Sequence, residues 1–269
     1  MSDPVPVSYT YDGSFDGFLT CVYESYVNKE PPACFSAPGE TQLSVYPERV
    51  VETDLPHARR VRASLPKALS GDGARMVTYA FLTCLPEREK HIYDLIALGY
   101  KRGPAVVRDL TDQRVLVLSR ALTHLKGEAH LLKGFTRFSR QEGILVAEIQ
   151  PKNRVLPLLR AHFCARYNAE PFVLYDRTHR EALFYQPGTW VIVPLDEFHV
   201  SPPGQEELEF RTLWRRFYDT VAIEGRLNPK LRMTHMPKRY WHTMTELQSD
   251  APSSAGEIPS SSSTPAAAR

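Results

Sequence analysis

The chain has 269 residues, 42% of them apolar, with a formal charge of +2 and a pI near 8.3. That length and apolar share support a proper core in one large domain or two small ones. A near-neutral total excludes a polyanion-binding surface spread over the whole molecule. The charges are unevenly placed, however: residues 1 to 55 carry nine acids against Lys29 and Arg49, while residues 101 to 140 carry nine bases against Asp109, Asp112 and Glu128.

In chain order, "VSYTY" reads as a short strand and "DGS" as a turn. Phe15, Phe18, Leu19, Val22, Tyr23 and Tyr26 then recur at helical spacing behind a cap at Ser14 or Asp12. The extended stretch "LSVYPERVVET" leads to Asp54, a second cap, ahead of the helical run "LPHARRVRASLPKAL". Buried stripes follow at Met76, Val77, Ala80, Phe81 and Cys84, at Ile92, Leu95, Ile96 and Gly99, and at Val115, Leu118, Leu122 and Leu125. The first half is therefore expected to be mostly helical.

From Lys133 the pattern turns to period two and short apolar runs: "KGFTRFS", "GILVAEIQ", a helix over "NRVLPLLRAHFCARYN", then "PFVLYD", "EALFYQ" and "WVIVPL". This predicts a mainly antiparallel β-β-α-β-β-β sheet region with the "RTHR" hairpin and a helix on one face. A C-terminal amphipathic helix follows, acidic in its first turn at Glu206, Glu207 and Glu209, with Phe210, Leu213, Trp214, Phe217, Tyr218 and Val221 on one face. The fold class is α+β, divided into a mostly helical region 1–132, an α+β region 133–247, and a tail 248–269. That tail holds seven Ser, three Pro and five Ala, too polar a composition to form a packed element.

Nothing at the N-terminus reads as a signal peptide, and no run of eighteen apolar residues occurs, so a soluble cytoplasmic protein away from membranes is expected. Cys21, Cys34, Cys84 and Cys164 form no C-x-x-C pair and read as core thiols.

Two cation-rich zones stand out. Residues 226–241, "RLNPKLRMTHMPKRYW", contain five Lys and Arg and no acid. Pro229 and Pro237 rule out one continuous helix. Arg226, Asn228, Lys230, Arg232, Lys238 and Arg239 suit contacts to a phosphate backbone, and Tyr240 and Trp241 either stack on bases or anchor the segment to the core. In the second zone, "LKGEAHLLKGFTRFSRQ" at 125–141, a strand from 133 to 140 would carry Phe135 and Arg137 on one face, with Lys133 beside them, as a nucleic-acid platform. At least one of Phe135 and Phe138 would then fill the core. His124, Glu128 and His130 form a loose acid and imidazole group, and Glu128 with His130 is the one candidate acid/base pair. Templates for a serine hydrolase, a phosphate-binding loop, a dinucleotide site, a zinc protease, a zinc deaminase and an iron-sulfur cluster are all missing.

"YDGSFDGFLTCVYESY", "EAHLLKGFTRF" and "RLNPKLRMTHMPKRYWHTMTE" together resemble a bacterial family of DNA metabolism proteins built on a domain of unknown function, over residues 7 to 247. The pattern places Tyr11, Asp12, Gly13, Ser14, Phe15, Gly17 and Phe18 in its first motif, and Glu128, Ala129, His130, Lys133, Phe135, Arg137 and Phe138 in its second, where Leu131 and Leu132 depart from it. Its third motif maps onto Asn228 to Lys230, Met233 and Met236 to Trp241. The resemblance implies a DNA repair setting, with a neighbouring radical S-adenosylmethionine (SAM) protein of DNA modification or repair as partner and, in some members, fusion to a uracil-DNA glycosylase family domain. It implies no cofactor in this chain, iron-sulfur cluster and SAM belonging to the partner. The function expected is a DNA-binding accessory protein. The alternatives are a nucleobase- or nucleotide-directed hydrolase using His130 and Glu128, and a protein-interaction module for the repair partner.

Overall fold

The computed structural model describes residues 5–39, 45–198, 204–221 and 229–247. It is an α+β fold with a helical first half and two sheets.

The first sheet has the order β2-β1-β3, with β1 (Val7–Thr10) central and parallel to both β2 (Pro32–Ser36) and β3 (Glu48–Val50). Parallel pairing needs a crossover, and α1 (Phe15–Val27) supplies it between β1 and β2. Ser14 caps α1, its Oγ accepting the Gly17 N–H at 2.9 Å. Asp12 braces the same turn, accepting from the Ser14 N–H at 2.9 Å and the Thr53 hydroxyl at 2.7 Å. Gly13 turns the chain at φ +81, and a Cβ on Gly17 would lie 2.3 Å from Asp12 Oδ1. The "YDGSFDGF" motif is thus a strand-to-helix turn with its own hydrogen bonds.

Asp54 caps α2 (Leu55–Ala80), as its position predicts, by accepting from the His57 N–H at 2.8 Å. That helix breaks at Ser70, where φ is +67. Next come α3 (Arg88–Arg102), a short turn Pro104–Arg108, and α4 (Gln113–Phe135). Tyr9, Phe18, Leu19, Leu65, Leu69, Ile92, Leu95 and Leu118 are buried together in the first core. Of the four cysteines only Cys21 belongs there; Cys34 and Cys164 are half-buried and Cys84 is exposed, a correction to the reading of all four as core thiols.

The second sheet has the order β4-β5-β6-β7-β8, from β4 (Ser139–Gln141), β5 (Ile144–Ile149), β6 (Phe172–Asp176), β7 (Glu181–Gln186) and β8 (Thr189–Pro194). Three of its pairings are antiparallel, and β5 to β6 is parallel through α5 (Leu156–Arg166). The hairpin "RTHR" joins β6 to β7 as its spacing predicts, with Arg180 at φ +52. Leu125, Leu132, Leu156, Phe163, Phe172, Leu174 and Leu183 form the second core.

One expectation fails in this region. Residues 133 to 135 are not strand: α4 runs unbroken past 132 to Phe135, and only 139–141 pair in the sheet. Ala129 and Leu132 continue the stripe Val115, Leu118, Leu122, Leu125 at helical spacing and stay buried, so burying that stripe prolongs the helix. α4 therefore carries residues of both cores, the first ending at Leu122 and the second beginning at Leu125.

The last described elements are α6 (Gln205–Val221), α7 (Pro229–His235) and the turns Lys238–Thr243 and Thr245–Leu247. Pro229 opens α7 and Pro237 precedes the next turn, as two prolines require. The tail at 248–269 lies outside the described residues. Among those described, no helix is long and apolar enough to cross a membrane.

Candidate functional site

Two polar assemblies of interest involve α4, one at Glu128 and one at its C-terminal end. The first is closed. Glu128 sits on the inner side of α4, its side chain 1% exposed. It accepts from the Lys152 N–H at 3.0 Å, the Asn153 N–H at 2.8 Å and the Asn153 amide at 2.6 Å. Arg239 Nη2 lies 3.0 Å away and the Tyr240 hydroxyl donates at 3.4 Å. Burial pushes the Glu128 carboxyl up, but the Lys152 and Asn153 donors and then the Arg239 charge hold it below its ordinary value. Asn153 completes a joint between the two cores: its Oδ1 accepts from the Cys84 N–H at 2.9 Å, and its Nδ2 donates to His124 Nδ1 at 3.0 Å. The neighbouring Arg154 N–H reaches Leu82 O at 2.9 Å.

This knot decides several of the candidate residues. At two positions apart on a helix, His130 points about 200° away from Glu128, and it is exposed while Glu128 is buried. The structure does not bring them together, and five donors surround the Glu128 carboxylate. Tyr240, 2% exposed, packs on Phe135 with ring centroids 5.7 Å apart. Trp241 is half-buried against the second core and its indole N–H donates to Met236 O at 2.9 Å. Of the two readings of this pair, core anchor is the observed one, because burying both rings outweighs leaving them for a ligand. Arg239 is spent on Glu128 and on the Tyr240 hydroxyl. Lys230 and Lys238 are exposed, Lys238 lying 5.9 Å from the Trp241 ring. Arg226, Asn228 and the side chain of Arg232 lie outside the described residues.

The second assembly is open. A cleft of about 920 Å³ lies between the end of α4, the β4–β5 hairpin, the end of α5 and one side of α6. Lys133, Arg137, Arg140, Arg166 and Arg211 line it against two carboxylates, Glu142 and Glu207. Phe138, Tyr167, Phe210 and Trp214 supply aromatic wall. Lys133 stands in the last turn of α4 and Arg166 in the last turn of α5, where helix dipoles favour cations.

Arg137 is fixed rather than free. Its Nη1 donates to Gly134 O at 2.7 Å, satisfying a carbonyl at the end of α4, and its Nη2 pairs with Glu246 at 2.7 Å. The other oxygen of Glu246 accepts the Trp214 indole N–H at 3.1 Å, and the guanidinium lies 5.8 Å from the centre of the Trp214 ring. Burial pushes Glu246 up, but Arg137 and Trp214 hold it below the usual carboxylate value. Arg140 pairs with Glu170 and Arg211 with Glu207. Among the described residues Lys133 and Arg166 have no ion-pair partner. Both lie near the half-buried His162, whose imidazole is held below its ordinary range first by burial and then by these two charges. A locally positive rim thus borders an aromatic recess.

Sequence reasoning names Lys133 and Arg137 for this face but misses Arg140, Arg166, Trp214 and Glu246. No shared spacing joins them, since they meet only when α5, α6 and the C-terminal turn converge. Phe135 and Phe138 both serve the core: Phe138 packs edge-on to Phe163 at 5.3 Å and Phe172 at 5.6 Å. Among the described residues no group of three or more His, Cys, Asp and Glu could hold a metal ion.

No curated protein matches the chain. The family model for DUF4130, a domain of unknown function, matches residues 86–246, which takes in α3, α4, the whole second sheet, the glutamate knot and the cleft. The match covers more than half of the chain, and on it the protein belongs to the DUF4130 family.

Proposed function

We propose that the protein is a nucleic-acid-binding accessory factor of DNA metabolism, and that the cleft between α4, α5 and α6 is where it holds an unpaired strand. The observation that carries this reading is the pairing of unneutralised cations at the rim, Lys133 and Arg166, with exposed aromatic rings inside, Phe210 and Trp214. Cations track phosphates, and a ring stacks on any base with a free face. A duplex keeps its base faces covered, so rings lying within a recess serve single strands or an extruded base. Arg137 is a positioning residue in this scheme: held by Glu246, it lies beside the indole of Trp214 and sets its tilt.

In this reading the chain binds and presents the strand, and chemistry belongs to a partner of the radical SAM class, which the family resemblance implies. Lys230 and Lys238 stand apart from the cleft and contribute at most long-range attraction.

The test is fluorescence anisotropy with labelled single-stranded and double-stranded DNA over a range of salt. Single strands should bind more tightly, with affinity falling as salt rises, and Lys133→Glu with Arg166→Glu should abolish the difference. Binding that ignores salt, or a double variant that binds like the parent, would refute the cleft as the site.

A further inference from the structure

α6 presents a second face that adjoins the cleft and shares only Phe210 with it. Phe210, Leu213, Phe217 and Val221 are each more than half exposed, and their spacing of three, four and four gathers them into one stripe along the helix. The cleft meets α6 on the adjoining side, through Glu207, Phe210, Arg211 and Trp214, so that Phe210 stands at the border of the two surfaces. An apolar stripe of four large side chains standing in water marks an interaction surface.

The charges beside the stripe say what fits it. Glu209 and Arg216 lie seven residues apart, so both flank the same edge of the stripe. Neither has an ion-pair partner among the described residues; Glu209 meets only the Gln205 amide at 3.3 Å. We infer that α6 pairs with α6 of a second copy of this chain, antiparallel about a two-fold axis. In that arrangement Leu213 of one helix packs against Leu213 of the other and Phe210 against Phe217, and Glu209 of each faces Arg216 of its mate, twice by symmetry. A parallel pair would instead set the two acidic first turns side by side. The helix dipoles also oppose each other favourably only in the antiparallel case.

The pairing borders the cleft at Phe210, but Leu213, on which the test turns, lies outside the cleft lining. Sedimentation equilibrium of the full chain over a wide concentration range tests it. A dimer is expected, with Leu213→Asp shifting it to monomer while the circular dichroism spectrum and thermal midpoint stay unchanged. Glu209→Arg and Arg216→Glu should each weaken the dimer roughly tenfold, and the two substitutions together should restore it. A parent chain that is monomeric throughout, a dimer indifferent to Leu213→Asp, or a double exchange that fails to restore what the single ones lose would each overturn the antiparallel pairing.

Discussion

The two cation-rich zones, 125–141 and 226–241, have similar compositions and opposite fates. In the C-terminal zone Tyr240 is drawn into the second core and carries Arg239 with it onto the buried carboxylate of Glu128. In the central zone Lys133 remains at the end of a helix, facing an open cleft beside Arg166. The difference teaches that bases stay open to solvent only where no aromatic anchor turns them inward and no buried acid takes them up, as Glu246 takes up Arg137 within the central zone itself. Removing water from a charge is costly, so a buried carboxylate recruits the nearest guanidinium.

The largest effect that would break this contrast is loss of the knot. Glu128→Gln strands Arg239 and leaves the Lys152 and Asn153 N–H groups facing an amide, and should cost about 3 kcal/mol of stability, read from the urea midpoint. An unchanged midpoint would mean that the C-terminal segment is not anchored there. The same carboxyl sets a pH dependence. Because Glu128 and Glu246 are held below the ordinary value of 4.5 in the fold, the unfolded chain takes up their protons first. Their stabilisation is then complete above about pH 4.5 and is lost as pH falls through the folded values. The acid limb of the stability curve should be shallower in Glu128→Gln.

At the cleft, Lys133→Glu and Arg166→Glu should each weaken single-strand binding roughly tenfold and flatten the salt dependence of log K by about 0.7 for each phosphate no longer neutralised, with the melting temperature unchanged. Trp214→Ala should cost about 1 to 3 kcal/mol of binding if a base stacks there, whereas Trp214→Phe, which keeps a ring and loses the bond to Glu246, should retain most of the affinity. The smallest effect sharpens the comparison most. Lys238→Glu, in the basic segment but away from the cleft, should change affinity by no more than about twofold. A loss equal to that of Lys133→Glu would return the C-terminal zone to the ligand surface. Arg239→Glu is the wrong probe, since it sets two carboxylates against each other in the core and reports folding instead.

Periodicity and capping chemistry make much of the fold legible. Ser14 and Asp54 cap the helices they precede, "RTHR" closes a hairpin, and the β-β-α-β-β-β order is observed. These are local matters, decided by hydrogen bonds within a few residues. The short β2, with neither alternation nor a β-rich run, gives no signal, and the end of α4 is misplaced because Phe135, Arg137 and their neighbours also satisfy period two. Of the cleft, Lys133 and Arg137 are readable and its opposite walls are not.

By itself, then, the sequence determined the α+β class, most element positions and the existence of two basic zones, because spacing and composition act along the chain. Which zone keeps its charges open to solvent was left to tertiary structure. Only the packing of Tyr240, the meeting of Glu128 with Asn153 and Arg239, and the convergence of α5 and α6 on α4 decide which charges are neutralised, and these contacts join residues up to 112 positions apart. Charge is written in the chain, but whether it is solvated or paired depends on what folding brings beside it.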